Sequence, residues 1–404
     1  MPARPFTGRR VLLGVTGGIA SYKTAWLARL LAQAGAEVDV VLTKAAREFV
    51  GSITFEALTG RQVFTELVAE GHALDHISLA AAAELVVVAP ATADFLARAA
   101  GGRSDDLLCA VLLATEAPVL LVPAMNDKMW AHKQTVANTT HLRSLGYAVL
   151  DPDEGPLASP QEGAGPGRMP EPETILAHAG RRLEKRGALA SRRMLVTAGP
   201  TKEPIDPVRF LSNHSSGKMG VAIAAAAWRR GADVTLIAGP LSVPPPAGVH
   251  FMSVESTEEM AHAVRVGLAT ADALVMAAAP ADFRAASVAT SKVKKANRPD
   301  SLVLADAPDI LESTRDARRP GSVVVGFALE TNDVLAHARH KLAAKELDLM
   351  VVNDAREEGA GFGGDTNRVT ILAPGVEPQA LPLMSKAEVA DAILDRMEAL
   401  FRER

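Results

Sequence analysis

A single cysteine, Cys109, stands among 404 residues. That excludes an internal disulfide framework and any metal site built from several thiolates, and it suits a reducing compartment. The cytoplasm is the expected location. The chain also lacks a surplus of either charge: 43 Lys and Arg against 47 Asp and Glu leave a net charge of −4. No bulk electrostatic case for nucleic acid or an anionic membrane arises. Long apolar runs are missing too. No uninterrupted stretch reaches the roughly 18 residues that span a bilayer, and the opening MPARPFTGRR has no apolar segment of the secretory kind. Neither secretion nor membrane insertion is expected.

Two common nucleotide signatures are absent as well. The loop SNHSSGKMG (212–220) has Ser212 where a P-loop needs its first glycine and Met219 where it needs a metal-holding hydroxyl. The loop GVTGGIASYK (14–23) is not G-x-G-x-x-G. The strand after it ends in Thr43 and Lys44, where a dinucleotide ribose requires an acidic residue. In the second half the matching strand ends in Ala238, Gly239 and Pro240. A Walker-type cradle is excluded and NAD is disfavoured, which leaves a mononucleotide in each half. Glycines that only make tight turns remain the alternative.

What is present is a chain 48% hydrophobic and 22% charged, enough for two or three domains with sizeable cores. Short apolar runs alternate with helical patterns: VLLGV (11–15), VDVVLT (38–43), ELVVVAP (84–90) and PVLLVPA (118–124). The pattern restarts with MLVTAG (194–199), DVTLIAG (233–239), ALVMAAA (273–279), SVVVGFA (322–328) and LDLMVVND (347–354). Such alternation predicts two α/β domains, each a mainly parallel sheet flanked by helices in a Rossmann-like arrangement. Trp26, Leu27, Leu30 and Leu31 mark one face of the first helix, with Gly35 as its stop. A second helix is expected from about Gly220 to Gly231. The charged, helix-prone stretch before residue 192 reads as a linker, so the domains are assigned as 1–187 and 188–404.

Residues beyond the carboxyl ends of parallel strands line ligand crevices, which draws notice to PATADF (90–95) and PAMN (123–126). Asn126 can hold a carboxylate without adding charge, or merely form a turn. His76 after Asp75 reads alone as a capping or surface histidine. SKVKK (291–295) is either a solvated face or a pair of lysines clamping a triphosphate.

These motifs form an ordered set. GVTGGIASYK, HISLA, PATAD, PAMN and GPGRM, then TAGPTKEPIDPVRFLSNHSSGKMG, AAAPADFRAA, KVKK, GFALET and NDA, closely resemble the bifunctional phosphopantothenoylcysteine decarboxylase / phosphopantothenate–cysteine ligase family of coenzyme A biosynthesis, over residues 8–400. For the first half the resemblance implies a flavodoxin-like, FMN-dependent decarboxylase. Gly17, Gly18, Ser21, Lys23, Thr43 and Thr92 fall on FMN-contacting positions, His76 on the catalytic histidine and Asn126 on the grip for the substrate carboxylate. The family's flap carries Ala-Cys-Gly with the cysteine as proton donor, whereas this chain reads LASPQEGAGPGRM. Ser159, or Gln161, stands in its place, and a serine hydroxyl is a far weaker acid than a thiol. Activity is expected to persist with another donor or water.

For the second half the resemblance implies a CTP- and Mg2+-dependent ligase joining 4′-phosphopantothenate to L-cysteine through an acyl-cytidylate. Asn213 falls on the residue holding that intermediate, and Lys292 on one tied to the triphosphate and the cysteine step. Ala278, Asp282, Ala307, Pro308, Asp309, Ile310, Phe327, Lys341 and Lys345 fall on CTP-contacting positions; no metal ligands are identified. The resemblance further implies homo-oligomers, with flavin sites between subunits of a trimer-based assembly and paired ligase domains. The competing expectations are a flavin-dependent peptidyl-cysteine decarboxylase, or a regulatory flavoprotein, fused to a nucleotide-binding domain; an NAD-linked dehydrogenase fits neither glycine loop.

Overall fold

Strand runs of Val, Leu and Ile without polar alternation belong in parallel sheets buried on both faces, and the first half builds such a sheet. The computed structural model describes residues 5–404 except 69, 72, 185–186, 295–300, 331–333 and 355–362. The chain divides into two compact units, Met1–Lys185 and Arg186–Arg404.

In the first unit, β1 (Arg10–Val15), α1 (Ser21–Gln33), β2 (Glu37–Leu42), α2 (Ser52–Thr59), β3 (Val63–Phe64), α3 (Asp75–Ala82), β4 (Leu85–Ala91), α4 (Ala93–Ala100), α5 (Leu107–Ala114), β5 (Val119–Pro123), α6 (Asp127–Trp130), α7 (Lys133–Ser144) and β6 (Ala148–Val149) follow in order. The strands lie as β3-β2-β1-β4-β5-β6, every pair parallel. Alternate side chains serve opposite cores: Val11, Leu13 and Val15 pack with Leu27, Leu31 and Ile175, while Leu12, Val86 and Val88 pack with Phe95, Leu107 and Leu112. A hairpin, β7 (Asp153–Pro156) with β8 (Ala164–Arg168), and α8 (Pro172–Leu183) complete the unit.

The buried stripe of α1 differs from the expected one. Thr24, Leu27, Ala28 and Leu31 face inward, at the i, i+3, i+4, i+7 spacing of one helical face. Trp26 lies one residue off that stripe, is 43% exposed, and donates its indole N–H to Glu173 at 2.9 Å. Gly35 follows the helix with φ +92°, the left-handed geometry that ends helices.

In the second unit come β9 (Arg193–Ala198), β10 (Lys202–Pro204), β11 (Phe210–Ser212), α9 (Lys218–Arg229), β12 (Asp233–Ala238), β13 (His250–Ser253), α10 (Thr257–Leu268), β14 (Ala273–Met276), β15 (Phe283–Ala285), β16 (Leu304–Asp306), α11 (Ile310–Ser313), β17 (Val323–Glu330), α12 (Val334–Ala344), β18 (Leu349–Asp354), β19 (Thr366–Asn367), β20 (Thr370–Leu372), β21 (Gln379–Ala380), β22 (Met384–Ser385) and α13 (Lys386–Glu403). The main sheet runs β13-β12-β9-β14-β17-β18-β20-β21. Its first six strands are parallel, and β20 and β21 extend it antiparallel. The first six therefore repeat the connectivity of the first unit. Trp228, near the end of α9, is buried and packs where Gly248 has no side chain: a Cβ there would lie 2.1 Å from the indole. Arg230, 4% exposed, ties α9 to α13 through Asp391 at 2.9 Å and Asp395 at 2.8 Å. No described helix is long and apolar enough to cross a membrane.

Candidate functional sites

In both sheets the strand order reverses beside the first strand, and the loops leaving the two diverging strands frame a crevice at their carboxyl ends. In the first unit these are the loops after β1 and β4. The Thr16 hydroxyl donates to the Pro90 carbonyl at 2.7 Å and accepts from the Thr92 N–H at 3.1 Å, so one buried side chain fastens the two loops together. Gly17 is required by close approach, since a Cβ there would lie 2.3 Å from that of Ala45. The cavity these loops enclose measures about 1310 Å3, ample for a small-molecule cofactor.

Six expected residues share its wall: Gly17, Gly18, Lys23, Thr43, Thr92 and Asn126. Thr92 also caps α4, its hydroxyl accepting from the Phe95 N–H at 3.3 Å. Lys23 Nζ donates to Glu171 at 2.8 Å and lies 3.3 Å from the Met169 carbonyl. Asn126 caps α6, its Oδ1 accepting from the Lys128 N–H at 3.0 Å, which leaves the amide N–H2 group aimed at Glu162 Oε2, 3.1 Å away.

Three expected residues lie elsewhere. Ser21 is fully buried beneath the loop, its hydroxyl 2.6 Å from the Gly18 carbonyl and 3.0 Å from that of Thr16; it shapes the loop from below. His76, in the first turn of α3, is not on the wall, and its Nδ1 is buried without a partner. Ser159 caps the short turn 160–162, its oxygen accepting from the Gln161 N–H at 3.3 Å, and it too is off the wall. Between the hairpin strands Leu157, Ala158 and Glu162 reach the wall, Glu162 being the ionisable one; a motif defined by a thiol does not reveal it. Cys109 is no substitute: burial and the neighbouring Asp106 push its thiol up to about 12.

The second crevice opens where β9 and β14 diverge. The loop 213–217 enters α9 through Gly217 at φ +73°, where a Cβ would lie 2.3 Å from Leu241. Gly220 lets α9 lie against β9, a Cβ there falling 2.6 Å from the Thr197 carbonyl. The loop and the amino end of α9 line a cavity of about 630 Å3, and a helix amino end there favours anions. Asn213, Ala278, Asp282, Ala307, Pro308, Asp309, Ile310, Phe327, Lys341 and Lys345 all line it. Asn213 Nδ2 donates to the Pro280 carbonyl at 2.9 Å. Lys345 Nζ bonds Asp309 at 2.5 Å. Burial would raise the Asp309 carboxyl, but this bond and the Glu312 N–H outweigh it and hold it below the ordinary range.

Lys292 departs from expectation. It is exposed and off the wall, and its proposed companion Lys295 lies outside the described residues, as do Thr331 and Ala355 of the quoted motifs. The lysines on the wall are Lys218, Lys341, Lys345 and Lys386. Lys218 Nζ bonds Asp365 at 2.7 Å, and Lys386, 7% exposed, bonds the Gly364 carbonyl at 2.5 Å. Burial and the charge of Lys218 lower the Lys386 ammonium below its ordinary value. Lys218 was visible inside the glycine loop, but nothing in the sequence joined it to Lys386, 168 positions away. The segment bearing Lys292 is nonetheless anchored: Asp206 accepts from the Val293 N–H at 3.2 Å, and Arg209 donates to the Val293 carbonyl at 2.6 Å.

Comparison with known proteins gives a consistent result for both halves. Residues 2–184 match a family model described as "Flavoprotein", and residues 189–400 match "DNA/pantothenate metabolism flavoprotein C-terminal domain". The chain is 48% identical over 402 residues to the coenzyme A biosynthesis bifunctional protein CoaBC of Mycobacterium tuberculosis (strain ATCC 25618 / H37Rv), covering 96% of each. It is 44% identical over 397 residues to that of Vibrio vulnificus (strain YJ016), covering 97% of this chain and 98% of the relative. Among solved structures, the C-terminal domain of a CoaBC protein is similar at 37% identity with a TM-score of 0.46, covering 54% of this chain and 100% of that one.

Proposed function

This chain belongs to the family of bifunctional coenzyme A biosynthesis proteins, a flavoprotein enzyme with decarboxylase and ligase activities, and from that premise we propose which crevice performs which step. The first unit takes FMN and decarboxylates 4′-phosphopantothenoylcysteine; the second makes that compound from 4′-phosphopantothenate, CTP and L-cysteine. The observation that carries this reading is the pair of separate mononucleotide-sized crevices, one ending in an asparagine amide and the other ringed by lysines.

FMN fits the first crevice on the protein's own terms. Gly17 lets the loop after β1 close against Ala45 and Gly18 adds no side chain to the wall, the opening of α1 offers N–H groups to a phosphate, and Thr43 in place of an acid suits a mononucleotide. When bound, the flavin supplies reversible two-electron oxidation of the cysteine moiety, making its carbon skeleton an electron sink for loss of carbon dioxide. Asn126 holds the departing carboxylate by its amide, neutral so that the charge is oriented without being stabilised as an ion pair. His76 stands off the wall of its own chain's cavity with an orphaned Nδ1, which supports its service in a neighbouring copy's crevice within a homo-oligomer. Leu74 and Ile77, exposed beside His76 in sequence, support that assembly.

In the second crevice the 4′-phosphopantothenate carboxylate attacks the α-phosphorus of CTP and pyrophosphate leaves. The amine of L-cysteine then displaces CMP from the acyl-cytidylate. Lys218, Lys341, Lys345 and Lys386 neutralise the triphosphate, and the loop N–H groups hold oxygens as charge moves. Among the described residues no group of three or more His, Cys, Asp or Glu side chains is set to hold a metal alone, so Mg2+ is taken with the triphosphate.

The test is direct. Protein, FMN, CTP, Mg2+, 4′-phosphopantothenate and cysteine are mixed and the products identified by mass. Asn213→Ala should stop CTP-dependent ligation and leave the flavin spectrum intact, whereas His76→Asn should stop carbon dioxide release and leave pyrophosphate release intact. Loss of only the CTP-dependent step in His76→Asn would reverse the assignment of halves.

A further inference from the structure

After carbon dioxide leaves, reduction of the remaining enethiol needs a proton, and the flap of this chain has no thiol to give one. Ser159 is held in a turn cap, and Cys109 is buried in α5. Between β7 and β8 one acidic side chain reaches the cavity wall: Glu162, whose Oε2 accepts from Asn126 Nδ2 at 3.1 Å. We propose that Glu162 is the catalytic acid of the decarboxylase half, loaded with its proton by the arrival of the substrate carboxylate and discharged by that group's departure.

The inference rests on Asn126 as the grip for the substrate carboxylate. If the substrate takes the amide that Glu162 holds in the free chain, two carboxylates converge on one neutral donor. Two like charges at hydrogen-bonding range raise the proton affinity of one of them. Glu162 is the one free to take a proton, because the substrate must remain ionised to lose carbon dioxide. Loss of the neighbour as a neutral gas removes the charge that held the proton, which is then free to pass to the intermediate beside it. The charged groups on the elements around this corner include Lys23 on α1, Asp127 and Lys128 on α6, Asp153 and Glu154 on β7, and Arg168 on β8. Both Lys23 and Arg168 are engaged by Glu171, at 2.8 and 3.0 Å, and Asp127 packs under Gly165 of the hairpin.

The step balances. The Glu162 O–H bond breaks and leaves its electron pair on the carboxylate, and its proton forms one new C–H bond on the two-carbon enethiol unit. The second C–H bond takes a hydride equivalent from the reduced flavin that the first oxidation produced, so the carbon–carbon double bond becomes the single bond of 4′-phosphopantetheine. Solvent reprotonates Glu162 in the next cycle.

The experiment supplies the FMN-loaded full chain with 4′-phosphopantothenoylcysteine under nitrogen, following products by mass and the flavin by absorbance. The unmodified chain should give 4′-phosphopantetheine and end yellow. Glu162→Gln should give a product lighter by two hydrogen atoms, with the flavin left bleached and the ratio of enethiol to 4′-phosphopantetheine raised about tenfold or more. Glu162→Ala should behave alike, and added formate should restore the reduced product by entering the vacated volume. Reduced product at the unmodified ratio in both variants, or enethiol accumulating in Ser159→Ala instead, would overturn the proposal. An unmodified chain that releases no carbon dioxide would instead refute the decarboxylase assignment beneath it.

Discussion

Cys109 is 1% exposed, and burial reinforced by Asp106 pushes its thiol up to about 12. The thiolate is the reactive form, so the folded protein should take up no maleimide over an hour at pH 8, while the unfolded chain takes up one equivalent, as read by intact mass. Asp206 is the opposite case. Burial would raise its carboxyl, but the N–H groups of Val208, Val293 and Arg209 bring it down to about 2. A carboxylate depressed in the folded state stabilises above its unfolded value of about 4 and loses that contribution as pH falls toward 2. Its effect belongs to the segment bearing Lys292: Asp206→Asn should speed amide exchange at Val293 and raise KM for CTP several-fold, with kcat changed less. Unaltered exchange at Val293 would remove Asp206 from that role. At this scale the sequence was legible where a motif ended a parallel strand, because strand ends dictate wall positions; Thr43, Thr92 and Asn126 are of this kind, whereas Asn213 was reached through the resemblance of its loop. The placement of His76, Ser159 and Lys292 off the two walls was not legible, since order along the chain identifies a loop without saying which way a side chain turns.

The helices α9 and α13 are joined by a buried ionic cluster in which Arg230 meets Asp391, Asp395 and Glu398. Removing one partner of a buried cluster strands the others, and Arg230→Ala should cost about 3 kcal/mol of stability in the second unit, measured by urea unfolding. Arg230→Met should cost markedly less if shape is what the site demands, and flavin content should be unaffected by either. Elements that follow the hydrophobic pattern were readable: each of the nine predicted strands forms within two or three residues of its expected bounds. The paired short strands β10–β11 and β15–β16 escaped notice because three-residue strands with few buried side chains carry no periodic signal. α13 escaped as a site element for a different reason. Only the folded sheet brings its first residue, Lys386, to the glycine loop, and no local pattern encodes that meeting.

Across the whole chain, each unit owns a sheet, a core and a crevice at its own strand-order reversal. Expressed apart, residues 1–187 should purify yellow, and residues 188–404 should release pyrophosphate with CTP, 4′-phosphopantothenate and Mg2+. A colourless first fragment, or a silent second one that is folded by circular dichroism, would mean that the halves depend on each other. That both halves share an architecture was evident from the restart of the strand pattern at residue 194. In the first half, a flavoprotein, the glycine spacing and the acid-free strand end already disfavoured a dinucleotide.

The three tryptophans are unequally shared, for Trp26 and Trp130 lie in the first unit and Trp228 alone in the second. Shielded from water at 8% exposure and lodged against Gly248, Trp228 should fluoresce at short wavelength. With Trp26 and Trp130 changed to phenylalanine, the red shift of its emission on heating becomes a private optical thermometer for the ligating half, readable in the intact chain while the flavin colours the other.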